Sequence, residues 1–396
     1  MKRTGVSDEP DTRAAHASSD RARLLTPRFL LVVACGLFYF LALAMLTPVI
    51  PHYVEDKLGN GTIAVGIAVG AFAIGAILLR TYAGRLGDRI GRRILIISGA
   101  LLVAASTACY GLVHALWWII LMRIVTGFGE AGFFVGAATM ITDLSPPERR
   151  GEAVSYWSVA VYGGLSFGPA LGELVRGGSR YELAWLVSAA LAFVAALLGM
   201  FTVELPREAT KPESTHLFHR AALRPGTVLF LGLIPLAGFT AFMPLYADTL
   251  GVSAGPVFLL YGFLILVVRI LGARLPDRLG GRRAGALALL FAGIGIGVIA
   301  AWGSIAGLVL GTVILAGGMS LMYPALLLLA LVGVTDADRA SVVGTFSSFF
   351  DASQGAGAFI CGAVAALTGE RGAFAAGAVG AFVGFGLLRS RSTARV

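Results

Sequence analysis

The sequence predicts an all-α integral membrane protein of twelve transmembrane helices, arranged as two six-helix pseudo-repeats. Three observations carry this expectation. Hydrophobic residues make up 57% of the chain and charged residues 13%, against about 25% charged in a soluble domain. Twelve apolar runs follow one another, each long enough to cross a hydrocarbon core of ~30 Å at ~1.5 Å per residue. Finally, a charged segment occurs twice: Arg80 to Arg93 returns 189 residues later as Arg269 to Arg282, with Arg80, Arg85, Leu86, Asp88, Arg89, Gly91 and Arg93 matched at identical offsets. The same offset carries Arg150 onto Arg339 and Gly168 onto Gly357. Such parallel repeats place a transporter's site at the interface between the halves.

Taken in order, residues 1–27 are a polar segment in which Lys2, Arg3, Arg13, Arg21 and Arg23 mix with acids, Ser and Ala, and read as a disordered cytoplasmic tail rather than a cleavable signal peptide. Residues 28–203 form an N-terminal six-helix bundle, with apolar runs at 29–53, 62–83, 94–113, 116–141, 153–175 and 182–203. Pro48, Pro51 and Tyr53 close the first run, and the Arg80–Arg93 segment is a turn between the second and third. Residues 204–225 break the pattern with Pro206, Lys211 and Pro212 and read as a cytoplasmic linker. A C-terminal six-helix bundle over 226–389 has runs at 226–247, 254–275, 284–303, 305–332, 341–367 and 370–388, and 390–396 form a second cytoplasmic tail. The 53 glycines suit helices that pack through small residues in lipid.

Charge sets the orientation. Arg85, Arg89, Arg92, Arg93, Arg149, Arg150, Arg278, Arg282, Arg283, Arg339 and Arg389 lie on the side of both termini and the linker, whereas Lys57, Arg176, Arg180 and Arg371 alone lie on the other. The positive-inside rule makes the first side cytoplasmic. Topology therefore accounts for the net charge of +9, and nucleic acid is not an expected partner. Cys35, Cys109 and Cys361 sit inside apolar runs with no metal-like spacing.

The segment Gly84-Arg85-Leu86-Gly87-Asp88-Arg89-Ile90-Gly91-Arg92-Arg93 resembles the loop signature of the major facilitator superfamily, G-x-L-a-D-r-x-G-r-r. The resemblance implies the major facilitator fold, alternating access, and a conformational switch built from Gly84, Asp88, Arg89, Gly91 and Arg92. In that role Asp88 meets a positive helix N-terminus in the outward-facing state. The second copy supplies Asp277 and Arg278 but has Ala273 opposite Gly84 and an extra Gly281. In the fourth run, Arg123, Gly127 and Gly129 are similar to the superfamily's R-x-x-x-G-x-G. In the fifth, Gly164, Gly168, Pro169 and Gly172 resemble the antiporter motif G-x-x-x-G-P-x-x-G-G, with Glu173 replacing the last Gly. Glycines every fourth residue make a groove for a neighbouring helix, and Pro169 removes one backbone donor.

Two acids fall near the bilayer midplane, where an unpaired charge costs at least ~2.5 kcal/mol. Glu130 lies seven residues beyond Arg123, on nearly the same helix face, and is expected to be the coupling proton site, with Arg123 acting on its charge. Asp351, with Gln354 and Ser347 on its face, is the alternative. No Walker-type loop, metal cluster or nucleophile with a spaced base is present, so neither enzyme activity nor a cofactor is expected. The resemblance to antiporters points to a monomeric multi-pass protein of the inner (plasma) membrane that exports a small amphipathic or cationic drug or metabolite in exchange for protons. A proton-coupled importer or a sugar or metallophore exporter of the same fold is the alternative, and a non-transporting membrane receptor a further one.

Overall fold

The computed structural model describes residues 24–146, 149–204, 219–272, 275–335 and 338–390; helix positions 81, 84, 85, 88, 151, 155, 270, 276, 277, 339 and 340 are described by backbone alone. Within these limits the chain is helical, with no strand. The helices are α1 (Pro27–His52), α2 (Thr62–Ile90), α3 (Arg92–Ala108), α4 (Leu116–Asp143), α5 (Arg150–Arg176), α6 (Tyr181–Met200), α7 (Arg220–Thr249), α8 (Ala254–Leu271), α9 (Gly281–Ala301), α10 (Ile305–Ala330), α11 (Arg339–Thr368) and α12 (Glu370–Arg389). A π-helical turn, Tyr53–Lys57, prolongs α1, and a short helix spans Leu275–Leu279. Among the described residues, nine of these helices are long and apolar enough to cross a membrane. Helices α3 to α6 start at residues 92, 116, 150 and 181, and α9 to α12 at 281, 305, 339 and 370, a constant displacement of 189 residues.

Local chemistry sets several ends. Thr26 Oγ1 accepts from Phe29 N–H at 3.2 Å and Pro27 occupies the first turn of α1. The charged segment after Arg80 is helical rather than a turn. Helix α2 runs to Ile90, and the reversal is made by Gly91 alone, at φ 95°, a conformation available to glycine without a Cβ clash. Helix α3 thus covers 92–108 and not 94–113. Pro48 and Pro51 lie buried inside α1 instead of ending it, and α7 starts at Arg220, with Pro225 inside it.

Glycines fix the spacing inside the first half. The α5 stripe of Gly164, Gly168 and Gly172 lies on α1: a Cβ on each would stand 2.6 Å from Phe40 Cβ, 2.6 Å from Ala44 Cβ and 2.0 Å from the Met45 carbonyl oxygen. Helices α2 and α4 are equally close, since a Cβ on Gly75 would meet the Ile124 carbonyl and one on Gly127 the Phe72 carbonyl.

Two antiparallel seams join the halves. Along α2 and α11, Gly66 faces the Ala358 carbonyl, Gly70 the Gly355 carbonyl, and Thr62 Oγ1 donates to Gly362 O at 3.3 Å. Along α5 and α8, Gly262 faces Ser166, and Gly255 faces Ala170 and Glu173. The seams are counterparts: the 189-residue offset maps Ala73 to Gly262, Ser166 to Gly355 and Glu173 to Gly362. Both run from the middle of the bundle to the end that carries His52; the opposite end carries Arg89, Arg92 and Arg278.

Candidate functional site: a layer of charge between the halves

Arg80 is the centre of the site. From α2 its Nη2 donates to Glu130 Oε2 of α4 at 2.6 Å, and its Nε lies 2.9 Å from Asp351 Oδ2 of α11. Glu130 and Asp351 side chains are 8% and 5% exposed, Arg80 15%. The two contacts differ in kind. The first is an aligned, charge-assisted hydrogen bond within one half. The second crosses between the halves at ion-pair distance, but Arg80 Nε and Asp351 Oδ2 are not aligned as a hydrogen bond. The guanidinium also sits 5.0 Å from the centre of the Phe134 ring, over an aromatic group in which Tyr39 stacks on Phe133 at 3.7 Å and Phe40 meets Phe134 edge-on.

Arg123 is not the partner of Glu130. Its Nε and Nη2 donate to the carbonyls of Ala68 and Val69 on α2, at 3.2 and 2.9 Å, and its guanidinium covers Phe72 at 4.8 Å. The Gly75 and Gly127 contacts bring α2 so near α4 that Arg123 is spent on α2 backbone. Two turns further on, Arg80 reaches Glu130 instead. Ser347 is likewise occupied elsewhere, at 2.9 Å from the Tyr323 hydroxyl. Gln354 is half-buried one turn beyond Asp351.

At the arginine-rich end, Arg92 is buried and paired with Asp143 of α4. Its backbone N–H donates to Glu204 Oε1 at 2.9 Å, so a carboxylate from the end of α6 caps the N-terminus of α3. Arg89 and Arg278 are exposed. The side chains of Asp88 and Asp277 and the surroundings of Gly84 lie outside the described residues. At the opposite end, His52 Nε2 lies 2.9 Å from Asp248 Oδ2 of α7, and His52 Nδ1 2.7 Å from Pro48 O. Glu173, where the antiporter motif has glycine, pairs with Arg176 at 3.1 Å and lines, with Arg176, Asp248 and Val252, a cleft of ≈ 410 Å³. Pro169 bends no contact away from the α1 groove, since Gly168 and Gly172 flank it in full contact.

Sequence reasoning missed Arg80 as the partner of both acids, and it missed Arg269, whose Nη2 donates to the Tyr162 hydroxyl at 2.6 Å across the α5–α8 seam. A signal was available in the repeat, which pairs Arg80 with Arg269 and Tyr162 with Asp351. Among the described residues no group of three His, Cys, Asp or Glu is placed to hold a metal ion.

Comparison with known proteins places the chain in a family. An uncharacterized MFS-type transporter of Salmonella typhimurium is 29% identical over 359 residues, covering 87% of this chain and 91% of that protein. Multidrug resistance protein 1 of Bacillus subtilis is 28% identical, and quinolone resistance protein NorA of Staphylococcus aureus 24%, each over about half of both chains. In fold, the chain is similar to a bacterial homolog of the human lysosomal transporter Spinster in an inward-facing, occupied conformation. That likeness has a TM-score of 0.74 at 18% identity, over 91% of this chain and 95% of that one. A peptide transporter matches at 0.75 and 15% identity, over 91% and 93%. The model of the Major Facilitator Superfamily matches residues 32–358, and the chain belongs to this superfamily of multi-pass membrane transporters.

Proposed function

We propose that the protein is a proton-coupled exporter of a small amphipathic molecule, with twelve spans in two six-helix repeats and both termini cytoplasmic. The observation that carries the coupling is the Arg80 bridge, which holds Glu130 in its own half and Asp351 in the other. Among the described residues, a proton on Asp351 removes the one charge that draws Arg80 across the interface. A proton on Glu130 leaves that crossing contact in place. The geometry therefore favours Asp351 as the coupling acid, with Glu130 as the anchor that keeps Arg80 in register. A cationic substrate would have to compete with Arg80 for Glu130 or Asp351, so it stands second to a neutral or anionic amphipathic one.

The charge asymmetry assigns the arginine-rich end to the cytoplasm. The seams from Arg80 to Thr62 and from Tyr162 to Glu173 then close the outer side, and the site faces inwards. The relatives named for drug resistance support export over import. In everted vesicles an acid interior should drive accumulation of an amphipathic dye, an uncoupler should abolish it, and Asp351→Asn should remove it while the protein stays folded. Full pH-driven accumulation by Asp351→Asn, with Glu130→Gln inactive, would return the coupling proton to Glu130. No pH-driven movement of any compound, together with specific binding of a protein partner, would favour a receptor.

A further inference from the structure

The offset that relates the halves maps Arg80 onto Arg269, Tyr162 onto Asp351, and Glu130 onto Met319. The contacts obey the same relation. Helices α2 and α11 meet at Arg80 and Asp351, 2.9 Å apart, and α8 and α5 meet at Arg269 and Tyr162, 2.6 Å apart. The charges do not obey it. Arg80 has two carboxylates, whereas Arg269 has a neutral phenol where one acid would stand, and the counterpart of the other is a methionine.

Among the described residues no carboxylate lies within ion-pair distance of Arg269, and its Nε is buried without a hydrogen-bond partner. The guanidinium rests 3.8 Å from the centre of the Tyr162 ring. That contact partly compensates the cation but leaves donors of a planar fork unused. A guanidinium does not shed its proton to escape burial, and charged groups at this depth face a partner or an aqueous cavity. Arg269 and Tyr162 are both half-buried, as are Tyr261 and Tyr323 beside them. Tyr162 is an electrostatic neighbour of Tyr261 and Tyr323, and Tyr323 of Arg80 and Asp351. The two arginines therefore belong to one layer, floored by aromatic rings such as Phe239 against Tyr261 and Phe350 against Tyr323.

We propose that Arg269, oriented by the Tyr162 hydroxyl, is the anion-recognising half of the substrate site, so that the transported molecule carries a carboxylate on an apolar body. The substrate supplies to the second half the negative charge that Glu130 and Asp351 supply to the first, and a carboxylate matches the planar donor fork that Arg269 leaves open. The proposal rests on the transport reading above and gives its substrate class.

The test is equilibrium binding of three probes with the same naphthyl body to the purified full chain, with no gradient imposed: 1-naphthaleneacetate, its primary amide, and 1-naphthaleneethylammonium. The carboxylate should bind at least about tenfold more tightly than either of the others. Arg269→Gln should level the three, and Arg269→Lys should restore part of the carboxylate preference. An amide or ammonium that binds as tightly as the carboxylate, or no binding of the carboxylate, overturns the proposal on the wild-type protein alone, whether or not the variants fold. A preference that survives Arg269→Gln overturns it as well. Failure of the transport reading looks different: the carboxylate preference is found, but no pH gradient moves the probe in vesicles.

Discussion

Replacing Gly70 with alanine tests whether the α2–α11 seam is one state of a moving protein or a fixed part of its fold. A Cβ on Gly70 would stand 2.5 Å from the Gly355 carbonyl oxygen and 3.2 Å from its carbon. The obstacle is backbone, so relief requires the helices to part. Overpacking of this kind costs about 1–3 kcal/mol. If the clash exists only when the His52 end is closed, the whole cost enters the equilibrium between closed and open arrangements. At ~1.4 kcal/mol per tenfold, the open share relative to the closed one rises about 5- to 150-fold. Within α2 itself alanine is favoured over glycine by about 0.5–1 kcal/mol in both arrangements, so the fold is retained. The assay is a pulsed dipolar distance measurement between spin labels on cysteines replacing Lys57 and Ser253, exposed positions at the closed end of each half, with Cys35, Cys109 and Cys361 replaced. Wild type should give one short distance, and Gly70→Ala a second, longer population. Gly317→Ala is the control, because a Cβ there meets nothing within 4 Å. A distance distribution identical to wild type in Gly70→Ala would show that the seam tolerates the methyl without opening and that the argument from close approach is wrong.

Other consequences follow from single contacts. Glu204→Ala removes the carboxylate that caps α3 and should lower stability by about 0.5–2 kcal/mol, read as a lower melting temperature in detergent; an unchanged melting temperature would show that solvent replaces the cap. Gly91→Ala forces a side chain into φ 95° and against the Glu204 carboxylate at 2.8 Å, so it should cost at least ~1–2 kcal/mol, more than Glu204→Ala. Asp88→Asn should leave the melting temperature unchanged and lower the transport rate, and wild-type rates would show that this segment sets topology alone. Gly172→Leu drives a side chain into the Met45 carbonyl, 2.0 Å from the Cβ position, and should abolish folded yield, whereas Gly386→Leu, where nothing lies within 4 Å, should not.

The linear sequence determined those features that depend on composition and local spacing. Apolar runs of spanning length, the 189-residue offset, the asymmetry of basic residues and the stripe of glycines at every fourth residue of α5 are properties of neighbours along the chain, and each is visible without coordinates. The candidate acids Glu130 and Asp351 were equally legible, because a carboxylate in an apolar run is conspicuous wherever the run folds. Their partner was not. Arg80 looked like the first residue of a basic turn, since nothing in the local pattern says that α2 continues for ten residues beyond it, to Ile90. Arg123, on the right face of the right helix, was the natural candidate, and it loses Glu130 because α2 packs close enough to take its donors with backbone carbonyls. Which of two arginines meets a given carboxylate is decided by interhelical distance and crossing register, set by glycines on helices far apart in sequence. For the same reason only the tertiary structure joins Arg80 to Asp351, and only there does Arg269, matched in the repeat but not in charge, stand against Tyr162 with a donor left over.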